Sequence, residues 1–240
     1  MKTKSPSQLA LSIVVILLLL ISWGTSNAHF TNSQIQASIL YVSQNASGSC
    51  ASWANACDLQ TALTTAQTGD QIWVAAGYHI TGESGNREAT FQLKSGVAIY
   101  GGFDGTETSL SQRDFETNLT ILSGDVGAEG DNTDNAYHVV TGSGVDATAI
   151  LDGFTITGGF GLTQTQQFNG GGMNNLSGSP TLTNVIFTEN NGSFGGGMYN
   201  YASSPTLVNV TFHDNWAAGG GGVYNDSSSS PTITDTTFID

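Results

Sequence analysis

From Gly170 to the C-terminus the chain repeats itself about every 25 residues: NGGGMNNLSGSPTLTNVIFTEN, FGGGMYNYASSPTLVNVTFHDN and GGGGVYNDSSSSPTITDTTFID. Met173, Met198 and Val223 fall 25 apart, as do Asn175, Asn200 and Asn225. Pro180, Pro205 and Pro231 keep the same rhythm, and so do Phe187, Phe212 and Phe238. A fixed period of this size marks a solenoid, whose copies bury their apolar faces only by stacking on one another.

The apolar positions of one copy select the kind of solenoid. They come in short runs such as Val210-Thr211-Phe212, with the period-two alternation of a strand. No copy offers helical spacing, and each carries several glycines and a proline, which depress helix. The expectation is an all-β, right-handed parallel β-helix with three short strands per coil. Asn184, Asn200 and Asn209 end apolar runs where the chain must bend, and asparagine tolerates the left-handed conformation. At a coil spacing of ~4.8 Å, recurring amides can hydrogen-bond up the stack. Asn175, Asn200 and Asn225 form one expected structural ladder, and Asn190 with Asn215 another.

The N-terminus is basic (Lys2, Lys4), continues as the apolar run Leu9–Ile21, and reaches the small residues Ser26-Asn27-Ala28. That order reads as residues 1–28 being a signal peptide cleaved after Ala28. The run is short for an anchor spanning a ~30 Å core. The expected location is therefore extracellular or at the outer cell surface, with no membrane insertion in the mature part. Loss of the leader takes two lysines and none of the 19 acids, giving 3 − 19 = −16. Such a charge argues against nucleic acid, which needs a basic footprint. Cys50 and Cys57 are the only thiols. In an oxidising compartment they are expected to form a local disulfide.

Residues 29–240 read as one β-helix domain. Residues 41–78 form its N-terminal cap: strand Tyr41-Val42, a helix capped by Asp58, and strand Gln71–Ala75. The helix turns Leu59, Ala62, Leu63 and Ala66 to one face, spaced to cover the open end of the first coil. Residues 79–169 are irregular coils and residues 170–240 regular repeats. Leu151, Phe154 and Ile156 match Leu182, Val185 and Phe187, and about seven coils fit the whole.

The stretch YVSQNASGSCASWANACDLQTALTTAQTGDQIWVAAGYH resembles the cap segment of exported bacterial right-handed parallel β-helix repeat proteins, the pectin-lyase-like superfamily. ATFQLKSGVAIYGGFDGTETSLSQRD and HVVTGSGVDATAILDGFTITGG resemble the same group. Phe187-Thr-Glu-Asn190 and Phe212-His-Asp-Asn215 are similar to the Phe-x-x-Asn motif of polymorphic outer membrane proteins. Gly171-Gly172-Met173 meets that family's Gly-Gly-small-aliphatic motif loosely, with glycine where alanine is usual. The resemblance implies a β-helix at the cell surface, and polysaccharide-cleaving enzymes are among its members.

A lyase of that kind needs a basic residue to abstract a proton, yet no lysine or arginine follows Arg113. A hydrolase needs paired carboxylates, and Asp214, Asp226 and Asp235 read as scattered through turns without recurring. No catalytic residue and no cofactor is assigned. The acidic loop Asp125, Glu129, Asp131 and Asp134 is either a Ca²⁺ site or a solvated loop. His79, His138 and His213 read as packed or surface residues. Among the aromatics Tyr199, Tyr201, Trp216 and Tyr224, Tyr199 and Tyr224 alternate with Met198 and Val223 and are expected to face outward in register. They offer either a platform for a polysaccharide or partner protein surface, or mere sheet stacking. Phe238-Ile239-Asp240 falls inside a repeat, so a further C-terminal portion of the same chain is expected. The leading functional expectation is a secreted or cell-surface, non-enzymatic adhesion, recognition or structural module. The alternative is a polysaccharide-active lyase or hydrolase, or an inactive sugar-binding relative.

Overall fold

The computed structural model describes residues 37–162 and 169–239, and the expected signal peptide lies outside them. No helix among the described residues is long and apolar enough to cross a membrane. Every strand pair in the sheets is parallel and the coils wind into a β-helix, in keeping with the right-handed crossover of parallel strands. The first regular coil consists of β10 (Met173–Leu176), β11 (Thr181–Thr188) and β12 (Asn191–Phe194). The next consists of β13 (Met198–Tyr201), β14 (Thr206–His213) and β15 (Trp216–Gly219). The third follows with β16 (Val223–Asp226), β17 (Thr232–Thr234) and β18 (Thr237–Ile239).

The irregular part obeys the same stacking. β1 (Ile39–Val42), β2 (Gln71–Ala75), β5 (Ala98–Phe103) and β8 (Ile150–Thr157) precede β11, β14 and β17 in one long sheet seven strands deep. β3 (Gly77–Ile80) and β6 (Thr120–Ser123) join the same sheet through β8. The second sheet runs from β4 (Phe91–Gln92) through β7 (Val140–Thr141) to β10, β13 and β16; the third from β9 (Phe160–Gly161) to β12 and β15.

Helix α1 (Leu59–Thr65) starts at Asp58, whose carboxylate accepts the Thr61 amide at 2.9 Å, as the sequence suggests. Leu59, Ala62, Leu63 and Ala66 are all buried in the common core. The helix packs against β1, β2 and β4. Because β4 begins the second sheet, α1 closes that sheet's otherwise open edge. Lys94 Nζ donates to the carbonyl of Ala66 at 2.7 Å, placing a cation where the helix dipole is negative. The Cys50–Cys57 disulfide is formed beside this cap.

In-register stacking puts like on like. Phe187 lies on Phe212 with ring centroids 4.8 Å apart, and Phe212 on Phe238 at 5.0 Å, the ring planes nearly parallel. Asn175 donates to Asn200 at 2.8 Å and Asn200 to Asn225 at 2.9 Å. Asn190 donates to Asn215 at 3.0 Å and to the Ile156 carbonyl at 2.8 Å, so its amide also fastens the turn of the preceding coil. Asn184 and Asn209 do adopt the left-handed backbone, with φ of 51° and 53°. Asn200 does not: it sits inside β13 with its side chain turned into the core, so its place comes from the ladder and not from a bend. The first ladder stops at Gly142, where any Cβ would collide with Asn175 Oδ1.

Asn200 is fully buried between two amides, whereas Asn225 is exposed and has one partner in the ladder. Asn200→Ala breaks both rungs, strands the buried Asn175 amide and leaves a void in the core, and is expected to cost about 3 kcal/mol, against about 1 kcal/mol for Asn225→Ala, which breaks one rung at the exposed end. Urea unfolding of the two variants measures the difference.

Candidate functional site

The outer face of the long sheet carries the candidate site, and the segment between β5 and β6 shapes one side of it. That segment leaves the sheet at Gly102, which has φ of 92°, and a Cβ there would strike Phe115. It returns across β8 at Gly153, with φ of 85°, where a Cβ would press on Arg113 and Phe115. Only glycine allows this approach at either position. The crossing sets Arg113 Nη2 2.6 Å from Asp152 Oδ2, with both side chains 13% exposed. Asp152 Oδ1 accepts from Asn184 at 2.8 Å, and Asn184 accepts from Asn209 at 2.7 Å. A third polar column therefore runs along the surface from an ion pair. The ring of Tyr100 lies 5.2 Å from the Arg113 guanidinium. Burial foremost, and then the Asp152 charge, push the Tyr100 phenol up from its ordinary value.

Beside this column lies a groove of about 300 Å³. Phe115 and Leu119 wall it; Thr155, Ile186, Thr211, Asn184 and Asn209 form its floor. A second cleft, of about 500 Å³, opens two residues further along the same strands. Asp125, Asp131, Glu189 and Asp214 line it, together with Tyr78 and Asn135.

The four acids expected to form a loop site are placed differently. Asp125 and Asp131 line the cleft, whereas Glu129 lies in an adjoining cavity with Asp125. Asp134 accepts the Ala128 amide at 2.8 Å and thereby holds its own loop. Asp131 accepts the hydroxyl of Thr133 at 2.6 Å, and that bond first, then the Thr133 amide, holds its carboxyl below the ordinary value. Among the described residues no three histidine, cysteine, aspartate or glutamate side chains come together as a metal site. The reading of the repeat acids as non-recurring is also corrected. Glu189 and Asp214 occupy matching positions in successive coils, each with left-handed backbone, immediately before the Asn190 and Asn215 rungs. Their spacing of 25 was the available signal.

The aromatic column needs a correction as well. Tyr199 and Tyr224 do stack in register, 5.9 Å apart and 13° from parallel. Tyr199, however, is 1% exposed and offers no outward platform. Its hydroxyl donates to Asp226 at 3.0 Å, and burial foremost pushes its pKa up to about 12. Phe194 packs 4.8 Å from Tyr224, filling the space that alternation alone leaves open. Trp216, 57% exposed, and Phe194, 40%, are the exposed aromatics of the third sheet.

The cations are equally committed. Arg87 donates to the carbonyls of Asn135 at 2.6 Å and Phe160 at 3.1 Å, and lies over the ring of Tyr137. Lys94 caps the helix and Arg113 neutralises Asp152. These are all the lysines and arginines of the described residues. His79 is buried at 5% exposure and donates through Nε2 to the Ala75 carbonyl at 3.0 Å. His138 bonds the Gly170 carbonyl, and His213 pairs with Asp214 at 2.9 Å. No family model, curated protein or solved structure matches the chain.

Removing Arg113 alone leaves Asp152 charged and largely enclosed. Arg113→Leu is expected to cost about 3 kcal/mol, and the Arg113→Leu/Asp152→Asn double variant clearly less, in a denaturation double-mutant cycle. Burial holds the His79 imidazole below its ordinary value of 6.5. The folded chain then protonates at lower pH than the unfolded chain, so this contribution is complete above about 6.5 and fades as pH falls through the folded value. Thermal unfolding between pH 7.5 and 5 is expected to fall more steeply for the native chain than for His79→Gln.

Proposed function

We propose that the chain is an exported, cell-surface or extracellular recognition module that binds a neutral polysaccharide along the outer face of its long sheet without cleaving it. One observation carries this reading: the described residues hold three basic side chains other than histidine, and the fold consumes all of them. Proton abstraction beside a sugar by a lysine or arginine needs such a side chain at the groove, and none lines it; its one ionisable side chain is Glu116. Several acids are spent on turns. Asp104, Asp131 and Asp146 each accept first from the hydroxyl of the threonine two residues later, which holds their carboxyls below the ordinary value. A general acid in glycoside hydrolysis requires the opposite displacement.

The groove's chemistry favours a neutral glycan. Its floor offers the amides of Asn184 and Asn209 and the hydroxyls of Thr155 and Thr211 to sugar hydroxyls. Phe115, Leu119 and Ile186 offer apolar surface to the C–H faces of a pyranose ring. The cap and repeat segments that resemble pectin-lyase-like and polymorphic outer membrane proteins support export and surface display. An inactive sugar-binding relative of polysaccharide-cleaving β-helices fits the same groove.

A glycan-array screen of the purified protein, followed by reducing-end release on each polysaccharide bound, tests the reading. Binding without new reducing ends is expected. Leu119→Ser/Ile186→Thr, which removes one exposed apolar side chain from the wall and one from the floor, is expected to weaken binding about tenfold. Cleavage of a bound polysaccharide would overturn the proposal in favour of the enzymatic alternative.

A further inference from the structure

The 500 Å³ cleft differs in kind from the groove beside it, which a single carboxylate, Glu116, lines. Four carboxylates from three separate stretches of chain line it: Asp125 and Asp131 from the loop after β6, Glu189 after β11, and Asp214 after β14. The fold does use acids when it needs them. Asp70 accepts the Ser38 and Gln67 amides, Glu107 those of Asp104 and Gly105, and Asp152 is held by Arg113. Asp125 and Glu189 show no such hydrogen bond, and no lysine or arginine lines the cleft. Stacking two carboxylates in adjacent coils opposes the fold by ~1 kcal/mol even in water, yet Glu189 and Asp214 stand in that relation.

Asn135 supplies an independent observation. It lines the cleft at 6% exposure, and its side-chain oxygen finds no donor. A buried acceptor without a partner is uncommon and calls for one. The cleft thus combines carboxylates that no lysine or arginine meets, Asp214 alone having His213 beside it, and an acceptor without a donor. Its rim is apolar: Tyr78 is 56% exposed and Ile80 50%, and both line the adjoining cavity with Asp125 and Glu129.

We propose that this cleft binds a basic peptide segment of a partner protein, its guanidinium groups pairing with Asp125, Glu189 and Asp214 and lying against the Tyr78 ring. Three features select that ligand. The carboxylates do not converge as a metal centre would require, so an extended set of cations fits better than one small ion. Arginine carries several N–H donors, which suits both the carboxylates and an acceptor such as Asn135 Oδ1. Its apolar stem and planar head suit a rim of Ile80 and Tyr78. A net charge of −14 on the whole chain draws such a segment in from a distance. The inference stands apart from the polysaccharide reading, since no residue of the 300 Å³ groove lines the cleft.

The test uses hexa-arginine and its length-matched citrulline analogue as probes, titrated calorimetrically into the full chain at about 0.15 M salt, where long-range attraction is screened. Saturable binding of hexa-arginine and none of the citrulline peptide is expected. Asp125→Asn/Glu189→Gln is expected to weaken binding about tenfold. Asp146→Asn/Asp235→Asn removes the same charge away from the cleft and is expected to change affinity less than twofold. Circular dichroism melting of each variant checks the fold. Equal weakening by both pairs of substitutions would overturn the proposal in favour of a diffuse acidic field. No saturable binding, or Ca²⁺ heat that vanishes in Asp125→Asn/Glu189→Gln while the peptide stays silent, would overturn it too.

Discussion

Parallel strands stacked in register at ~4.8 Å force each side chain to live beside the residue one period away, and the rest of this molecule follows from that. A residue suits the interior only if it is compatible with its own copy. Phenylalanine stacks face on face, as Phe187, Phe212 and Phe238 do. Asparagine is both donor and acceptor, so Asn175, Asn200 and Asn225 satisfy one another in a chain that any number of coils can extend. A carboxylate or an ammonium fails this requirement, because its copy repels it. That is one physical reason why charged residues make up only 10% of the chain. It also explains why an interior column must begin somewhere special, as the amide column does at Gly142.

The same rule separates what the sequence makes legible from what it hides. Period, strand alternation and the choice among like-on-like residues are local and repetitive, so the coil architecture, the Phe and Asn columns and the Asp58-capped helix can be read without coordinates. Tyr199 could not. Alternation puts Tyr199 on the opposite side of its strand from Met198, but says nothing of what covers that side. The acid cleft was hidden for a different reason. Asp125 and Asp131 are near in sequence to Glu129 and Asp134, yet winding brings them to Glu189 and Asp214 instead. Grouping by sequence proximity found the right loop and the wrong companions. The Asn200 misreading came from treating a polar residue after apolar ones as a bend, where the ladder was sufficient cause.

Cations enter the fold as terminators of structures that stacking cannot finish. Lys94 ends the helix, whose last carbonyls have no further turn to bond. Arg113 ends the surface column of Asp152, Asn184 and Asn209, where a carboxylate faces the bend at Gly153 with no coil partner of its own kind. Arg87 ties the Asn135 turn to the Phe160 carbonyl across coils. Each sits at an irregularity before the regular repeats begin, and the repeats themselves contain none. This division of labour commits every lysine and arginine of the described residues to the fold, and leaves the outer face to neutral amides, hydroxyls and acids.

A surface built of columns also constrains its partners. Asn184 and Asn209 repeat at one coil spacing, and Glu189 and Asp214 repeat beside them a few residues along the same strands. A ligand that is itself periodic, such as a polymer of sugars or a run of basic side chains, meets one more equivalent contact for each coil it spans. Weak contacts then add along the axis in the manner of linked sites, where effective concentration rather than new chemistry raises avidity. A compact ligand gains nothing from the repetition. The two columns differ in charge but share a geometry, and that geometry selects extended partners before chemistry distinguishes between them.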